Sequence, residues 1–566
     1  MSAADSPSRS WTATAAFAVV VLGVVAYANS LSGAFLLDDG ASISQNESIR
    51  RLDDLRAVLT EMPASTSARP VVNLSFALNY AAGGTDVLGY HLVNGAVHLL
   101  AALALFGVVR RTLELVPRLA EASTPLAFAV AALWTVHPLQ TESVTYVCQR
   151  AESLAGLFLL TTLYCAIRAA TTAPPNRCWA AASVAACALG MATKETMVAA
   201  PLLVLLHDRT FVAGSFREAW RKRRALHLGL AATWIVLAAL MASSKGRGES
   251  AGFGYGMSAW EYARTQPGVI VDYLRLCFWP HPLLLDRGAR VATTAAEIAP
   301  YAVVVAALLA ATAWALARRP ALGFVGAWFF VVLAPTSSFV PLVTQTAAEH
   351  RMYLALAAVA TLAVVAVHAA APRAGVVLLA AALLALTWRT HERNALYESP
   401  RAMWADAVAQ DPDNVRARMN LGMALALQGD VGAGIEQLDV AVGLDPGNAY
   451  ARLLRGNLLH KAGESEAALA DYVEAEKSPR RAAAALVSRA VVYLERGEID
   501  FAMRAVNAAI RRAPENAAAY VARANAHMAR EDFEAAWADV RTARRLGRPP
   551  SAAFIERLTE ESGRTE

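Results

Sequence analysis

The sequence predicts an all-α protein in two parts: a polytopic membrane unit of about eleven helices, followed by an α-solenoid of short helical repeats. Three observations carry that expectation. Hydrophobic residues fill 56% of the 566 positions and charged residues only 17%, with mean hydropathy +0.36, which is too apolar for an ordinary water-soluble chain. The excess is uneven, because residues 11 to 390 hold nearly all the long uncharged runs, whereas 391 to 566 are rich in Arg, Glu, Asp and Ala. Finally, Pro412, Pro446, Pro479 and Pro514 recur about every 34 residues, a helical-repeat period. The expected parts are a membrane unit over 1–390, a linking half-repeat helix over 391–412 and a solenoid over 413–566.

Stretches apolar enough to cross about 30 Å of hydrocarbon fall near 12–29, 90–109, 122–138, 143–168, 178–193, 196–208, 225–243, 299–317, 321–338, 352–370 and 374–389. The first ends on Ala26-Tyr27-Ala28, a small-x-small pattern like a secretory cleavage site. With only Arg9 ahead of it and further apolar runs behind, it reads as an uncleaved first membrane helix. The stretch Gln266 to Leu285 carries Asp272, Arg275, Pro280 and Pro282, so it reads as an amphipathic helix on the outer surface.

The basic clusters at 110–118, 168–177, 209–224, 318–319 and Arg373 then share the cytoplasmic side. The polar connections 30–89, 138–142, 194–195, 244–298, 339–351 and everything after about 390 fall outside. The net charge of +5 therefore reports orientation and implies no nucleic-acid partner. Five scattered cysteines, without paired spacing, predict neither a disulfide framework nor a zinc site.

Ionisable groups at a membrane edge are costly and mark function more often than they do in water. Here they gather on the predicted outer face. Phe35-Leu36-Leu37-Asp38-Asp39 opens the first outer connection with two acids, which taken alone suit an interface marker or a helix cap better than a general base. His91, Asn94 and His98 line one helical face, as a hydrogen-bond network or as substrate contacts. After the turn His137 to Glu142, the residues Glu142, Tyr146 and Arg150 follow at i, i+4, i+8, with Glu152 close by. An arginine at that depth needs a phosphate or a carboxylate such as Glu142. Lys194-Glu195 and Glu349-His350-Arg351 complete the set.

In the C-terminal part, alignment on the prolines puts Gly422, Gly456, Ala490 and Ala524 at one small position. Ala468, Ala502 and Ala536 fall at a second, and Ala441, Ala475, Ala509 and Ala543 at a third. Small residues there let paired helices stack, as in tetratricopeptide arrays. About four repeats are expected, preceded by a half repeat around Trp404 and Ala407. Such a groove binds extended peptide or a partner helix.

Several stretches resemble the transmembrane and tetratricopeptide-repeat-containing protein O-mannosyltransferase family of multispanning class C glycosyltransferases. They are Phe35 to Asp39; Arg69-Pro70 with Asn73 to Tyr80; Tyr90-His91-Leu92-Val93-Asn94 with His98; His137-Pro138 through Glu142 to Gln149-Arg150-Ala151-Glu152-Ser153; Lys194-Glu195; and Ala348 to Leu354. The resemblance runs in order over nearly the whole chain. It implies an inverting transfer of a sugar, such as mannose, from a polyprenyl-phosphate donor to a protein hydroxyl on the extracytoplasmic side. A glycolipid- or polysaccharide-modifying transferase and a non-enzymatic repeat-bearing membrane scaffold are the alternatives.

In that reading Asp38 or Asp39, with Asp38 favoured, is the base. Arg69, Arg150, Lys194 and Arg351 meet the leaving phosphate. His91, His137, Glu142, Glu152, Glu195, Glu349 and His350 shape the sugar and acceptor pocket. The lipid-linked sugar is the expected donor substrate, and neither another cofactor nor a divalent metal is expected, although Asp38, Asp39 and Glu142 offer carboxylates. The Ala- and Arg-heavy composition points to a bacterial inner membrane, with the site and repeats in the periplasm or a lumenal equivalent. Expected partners are the bilayer, the lipid-linked donor and an acceptor or partner protein in the repeat groove.

Overall fold

The computed structural model describes residues 7–174, 176–244, 252, 257–288, 290–343 and 345–564. Residues 245–251, 253–256 and 289 of the expected 244–298 connection, and residue 344 of 339–351, lie outside the described residues. The chain divides into two compact units, one ending at Met403 and one starting at Trp404.

The first unit runs α1 (Pro7–Tyr27), α2 (Leu55–Thr60), α3 (Pro70–Gly83), α4 (Val87–Glu114), α5 (Ser123–Thr135), α6 (Thr141–Val144), α7 (Arg150–Thr171), α8 (Arg177–Met191), α9 (Ala200–His207) and α10 (Phe216–Ser243). It continues through α11 (Ala259–Phe278), α12 (Ala295–Arg318), α13 (Pro320–Leu333), α14 (Met352–Ala370) and α15 (Pro372–Leu396). Among the described residues, eight helical stretches, those built on α1, α4, α7, α9, α10, α12, α14 and α15, are long and apolar enough to cross a membrane. Three shorter apolar helices, α5, α8 and α13, complete the expected eleven.

The short ones differ from expectation in extent. Helices α5 and α13 have 13 and 14 residues, about 20 Å long, because the chain leaves helical geometry after Thr135 and Leu333. Irregular backbone at such depth is tolerated where protein covers it. Here residues 136–147 are buried, and α5 packs against α1, α4, α14 and α15. Helix α11 is excluded from the crossing set. It buries Tyr262, Gln266, Ile270, Tyr273 and Leu276 along one face, the amphipathic character expected for this segment.

The connections sort to two ends. At one, the Thr112 hydroxyl meets His207 at 3.0 Å, Arg209 donates to Leu316 O at 3.2 Å, and Asp208 holds Arg223 and His227. These are the basic connections predicted to share a side. At the other, Val71 N donates to Ala192 O at 3.2 Å, Arg69 pairs with Glu195 at 3.5 Å, and the connection after α11 reaches that before α14 through Leu284 N and Glu349. Contacts between connections distant in the chain thus reproduce the partition read from charge.

The second unit consists of helix pairs at 415–427 with 431–444, 449–461 with 465–475, 482–495 with 499–512, and 517–528 with 533–545, then a last helix Ala552–Ser562. The repeat is chemical as well as geometric. Arg418 Nε donates to Pro412 O at 2.7 Å, and 34 positions on Arg452 Nε donates to Pro446 O at 2.9 Å. Gly429, Gly463 and Gly497 take left-handed backbone between paired helices (φ 96°, 88° and 73°), and the fourth equivalent, Glu531, does so at φ 63° without a glycine's freedom.

Candidate active site

The acidic loop after α1 is built on a division of labour between its two aspartates. Asp39 is fully buried; one oxygen accepts from Leu36 N at 2.9 Å, closing its own turn, and the other from Cys148 N at 2.6 Å. Burial pushes its carboxyl up to about 7, against these backbone bonds, which favour the charged form. Asp38 is exposed, and its backbone N–H donates to the Tyr146 phenol oxygen at 2.9 Å. Leu37, just before it, has φ +38°, a strained position for a non-glycine residue. The loop is pinned on both sides so that Asp38 alone projects.

The expected i, i+4, i+8 row of Glu142, Tyr146 and Arg150 is not formed. The chain turns through α6 and a 3₁₀ turn at Val147–Gln149 before α7 starts at Arg150, so the three side chains part. Tyr146 goes to Asp38. Glu142 goes to His350, its two oxygens meeting His350 Nδ1 and N, each at 2.7 Å. Burial pushes the Glu142 carboxyl up to about 7; the His350 N–H bond and the positive fields of Arg393, Arg351 and Lys194 pull the other way.

Among the described residues Arg150 pairs with no carboxylate. It is fully enclosed, donating Nε to Asn94 Oδ1 at 2.6 Å, Nη1 to Asn79 Oδ1 at 2.6 Å and Nη2 to Tyr90 O at 3.0 Å, with its guanidinium over the rings of Phe76 (4.8 Å) and Tyr90 (5.6 Å). Its donors therefore staple α3 and α4 to the start of α7. Arg351 is similarly committed, donating to Tyr262 Oη and to the carbonyls of Thr336, Thr346 and Gln345. In both, the guanidinium donors go to neutral protein acceptors.

The remaining cations sit beside the loop. Lys194 is buried in an ion pair with Glu152, and half-buried Arg69 pairs with Glu195. Arg69 lies within electrostatic range of Cys148, which also feels Asp38 and Asp39. His350 feels Lys194, Glu152 and Arg69. The structure thus brings Asp38, Arg69, Glu142, Glu152, Lys194, Glu195 and His350 into one neighbourhood.

Glu349 turns the other way, accepting from Leu284 N at 2.5 Å and meeting Arg287 at 3.5 Å. Three histidines bond to neighbouring segments: His91 Nε2 meets Gly33 O at 2.9 Å, a Cβ on Gly33 would lie 2.9 Å from that ring, and His98 joins Tyr353 Oη and Thr135 O. His137 meets Cys277 O at 3.1 Å and accepts from Leu139 N.

Two groups went unread in the sequence. Arg287 holds both Asp272 and Glu349, and Arg393 acts electrostatically on Glu142 and Glu349. Arg393 carried a signal, since an arginine at the outer end of the last span runs against the positive-inside tendency. Among the described residues no group of three or more His, Cys, Asp or Glu side chains is disposed to hold a metal ion.

Helices of this length and apolarity define an integral membrane protein, all-α, with a tetratricopeptide array behind it. The tetratricopeptide repeat model matches residues 389–449 and 453–517. Among characterised proteins the chain is similar to protein O-mannosyl-transferases. It is 34% identical over 198 residues to Tmtc1 of Drosophila melanogaster, covering 33% of this chain and 22% of that one. It is 33% identical over 160 residues to human TMTC2 (27% and 18%), and 30% identical over 154 residues to F38B6.6 of Caenorhabditis elegans (26% and 22%). The chain thus matches about a fifth of the length of these relatives. Similar solved structures include ArnT from Cupriavidus metallidurans bound to undecaprenyl phosphate, 17% identical with TM-score 0.38, covering 78% of this chain and 76% of that one. Another is MamA, 24% identical with TM-score 0.24, covering 26% and 86%.

Proposed function

We propose that the protein is an inverting glycosyltransferase that moves a sugar, mannose by analogy with its relatives, from a polyprenyl-phosphate donor to a protein hydroxyl on the extracytoplasmic side. The observation that carries this reading is the exposed Asp38 carboxylate, on a loop pinned by Asp39 and Tyr146 beside Arg69. Asp38 accepts the proton of the acceptor hydroxyl, whose oxygen bonds to the anomeric carbon as the bond from that carbon to the phosphate oxygen breaks. A single displacement inverts the anomeric centre. With Arg150 and Arg351 occupied, the departing phosphate falls to Arg69 and Lys194, which exchange part of their hold on Glu195 and Glu152. His350, oriented by Glu142, shapes the pocket. The tetratricopeptide array selects the acceptor protein, and the bacterial inner membrane with a periplasmic site is the location that fits the charge asymmetry.

The test is a transfer assay on membranes containing the protein, with radiolabelled polyprenyl-phosphate sugars. Label on protein that disappears in Asp38→Asn is expected. Label on lipid A or polysaccharide would make it a glycan-modifying transferase; no label from any donor, or full activity of Asp38→Asn, would overturn the reading.

A further inference from the structure

An apolar crevice of about 200 Å³ opens at the end of the membrane unit away from Asp38. Its walls are the second half of α4 from Leu105, the start of α13 through Trp328, and the second half of α14 to Val365. Only two polar side chains line it, and both hydroxyls are spent on their own helices. Thr112 donates to Val108 O and Thr361 to Ala357 O, each at 2.7–2.8 Å. The walls offer hydrocarbon alone. Leu322 and Leu362, 45% and 49% exposed, mark an open side.

The mouth has the opposite character. Arg118 lies between the lining residues Val116 and Leu119, and Arg318-Arg319 are separated from the lining residue Ala321 by Pro320 alone. All three arginines are exposed, and among the described residues none has an ion-pair partner. By contrast, Arg110 and Arg111 share Glu114 nearby. Helix α13 begins here at Pro320, so its positive N-terminal end adds to the same field. The positive-inside tendency accounts for the sign of these charges but not for their lying next in the chain to residues that line a hydrocarbon-walled crevice. The stretch of α4 that lines the crevice, Leu105 to Leu113, spans about 12 Å, room for part of one acyl chain.

We propose that this crevice binds one acyl chain of an anionic glycerophospholipid from the leaflet on the basic side, with its phosphate held by Arg118, Arg318 and Arg319. The site is independent of the glycosyl-transfer reading. Charge sets its preference over zwitterionic lipid, since each basic side chain near an anionic headgroup adds attraction that a choline headgroup offsets.

The test uses the full-length protein in neutral detergent, with its melting midpoint read after adding phosphatidylglycerol, phosphatidylcholine or polyprenyl phosphate. Phosphatidylglycerol is expected to raise the midpoint by roughly 3 °C or more, and phosphatidylcholine to do little. The R118Q/R318Q/R319Q variant, altered only at the surface, should lose that difference, and Thr361→Phe, which fills the crevice, should lose the response altogether. Equal effects of the two phospholipids, no effect of either, or a phosphatidylglycerol shift surviving in the triple variant would each overturn the proposal. A shift by polyprenyl phosphate alone would give the crevice to a polyprenyl tail and overturn it as well.

Discussion

The backbone N–H of Asp38 donates to the phenol oxygen of Tyr146, 108 positions away, at 2.9 Å. This bond holds the residue after the strained Leu37, and with it the direction of the exposed carboxylate. Tyr146→Phe keeps the ring and removes the acceptor. If Asp38 is the base, kcat should fall about tenfold, the equivalent of one hydrogen bond's worth of misplacement, with KM for the donor little changed. A Tyr146→Phe enzyme with wild-type kcat, measured beside an inactive Asp38→Asn, would remove Tyr146 from the positioning of the loop.

Asp39 gives stability a pH dependence. Its carboxyl is raised from 3.8 to about 7 in the fold, so the folded state holds a proton the unfolded chain releases. The resulting stabilisation is complete below about pH 4 and is lost as pH rises through about 7. Thermal melts between pH 5 and 8 should show the wild type losing midpoint with rising pH, and Asp39→Asn losing less. Glu142, raised in the same direction by its burial, contributes a parallel share that Glu142→Gln removes. Identical pH slopes for wild type and both variants would contradict the burial argument.

Arg150 should matter to the fold before it matters to chemistry. Arg150→Met strands Asn79 Oδ1, Asn94 Oδ1 and the Tyr90 carbonyl in a buried setting, at a cost of about 3 kcal/mol or more. Arg150→Lys should not rescue it, because one ammonium cannot serve acceptors on α3 and α4 together as a planar guanidinium does. Melting of the two variants in detergent checks this; a stable Arg150→Lys with a raised KM for the donor would restore a phosphate role.

In the repeats, Glu531 takes the left-handed backbone that Gly429, Gly463 and Gly497 take in the preceding three. Glu531→Gly should relieve about 1 kcal/mol of strain, partly offset by the freedom glycine gains in the unfolded chain. The expected sign is slower hydrogen exchange in the helices at 517–528 and 533–545 of the full-length protein. Faster exchange there would mean that Glu531 contributes a contact worth more than its strain.

How much of this was legible beforehand follows from the range of each interaction. Hydropathy set the eleven apolar helices, basic clusters set the two ends, and the proline spacing set the repeats. Each is a property of residues close together in the chain, and the fold kept all three. The limits of α5 and α13, and the break between Glu142 and Arg150, escaped because burial under neighbouring helices lets backbone at membrane depth leave the helix.

The sequence alone determined that two acids stand at the head of an outer connection, with arginines, a lysine and histidines on the same side. Only the tertiary structure decided which groups each of them meets. Asp38 and Asp39 are adjacent and chemically identical, yet Cys148 N claims one of them; Arg150 and Arg69 carry the same group, yet asparagines from α3 and α4 enclose only the first. Composition and periodicity fix which side chains exist and on which side, whereas their hydrogen-bond partners come from segments 50 to 200 residues away and are chosen by packing.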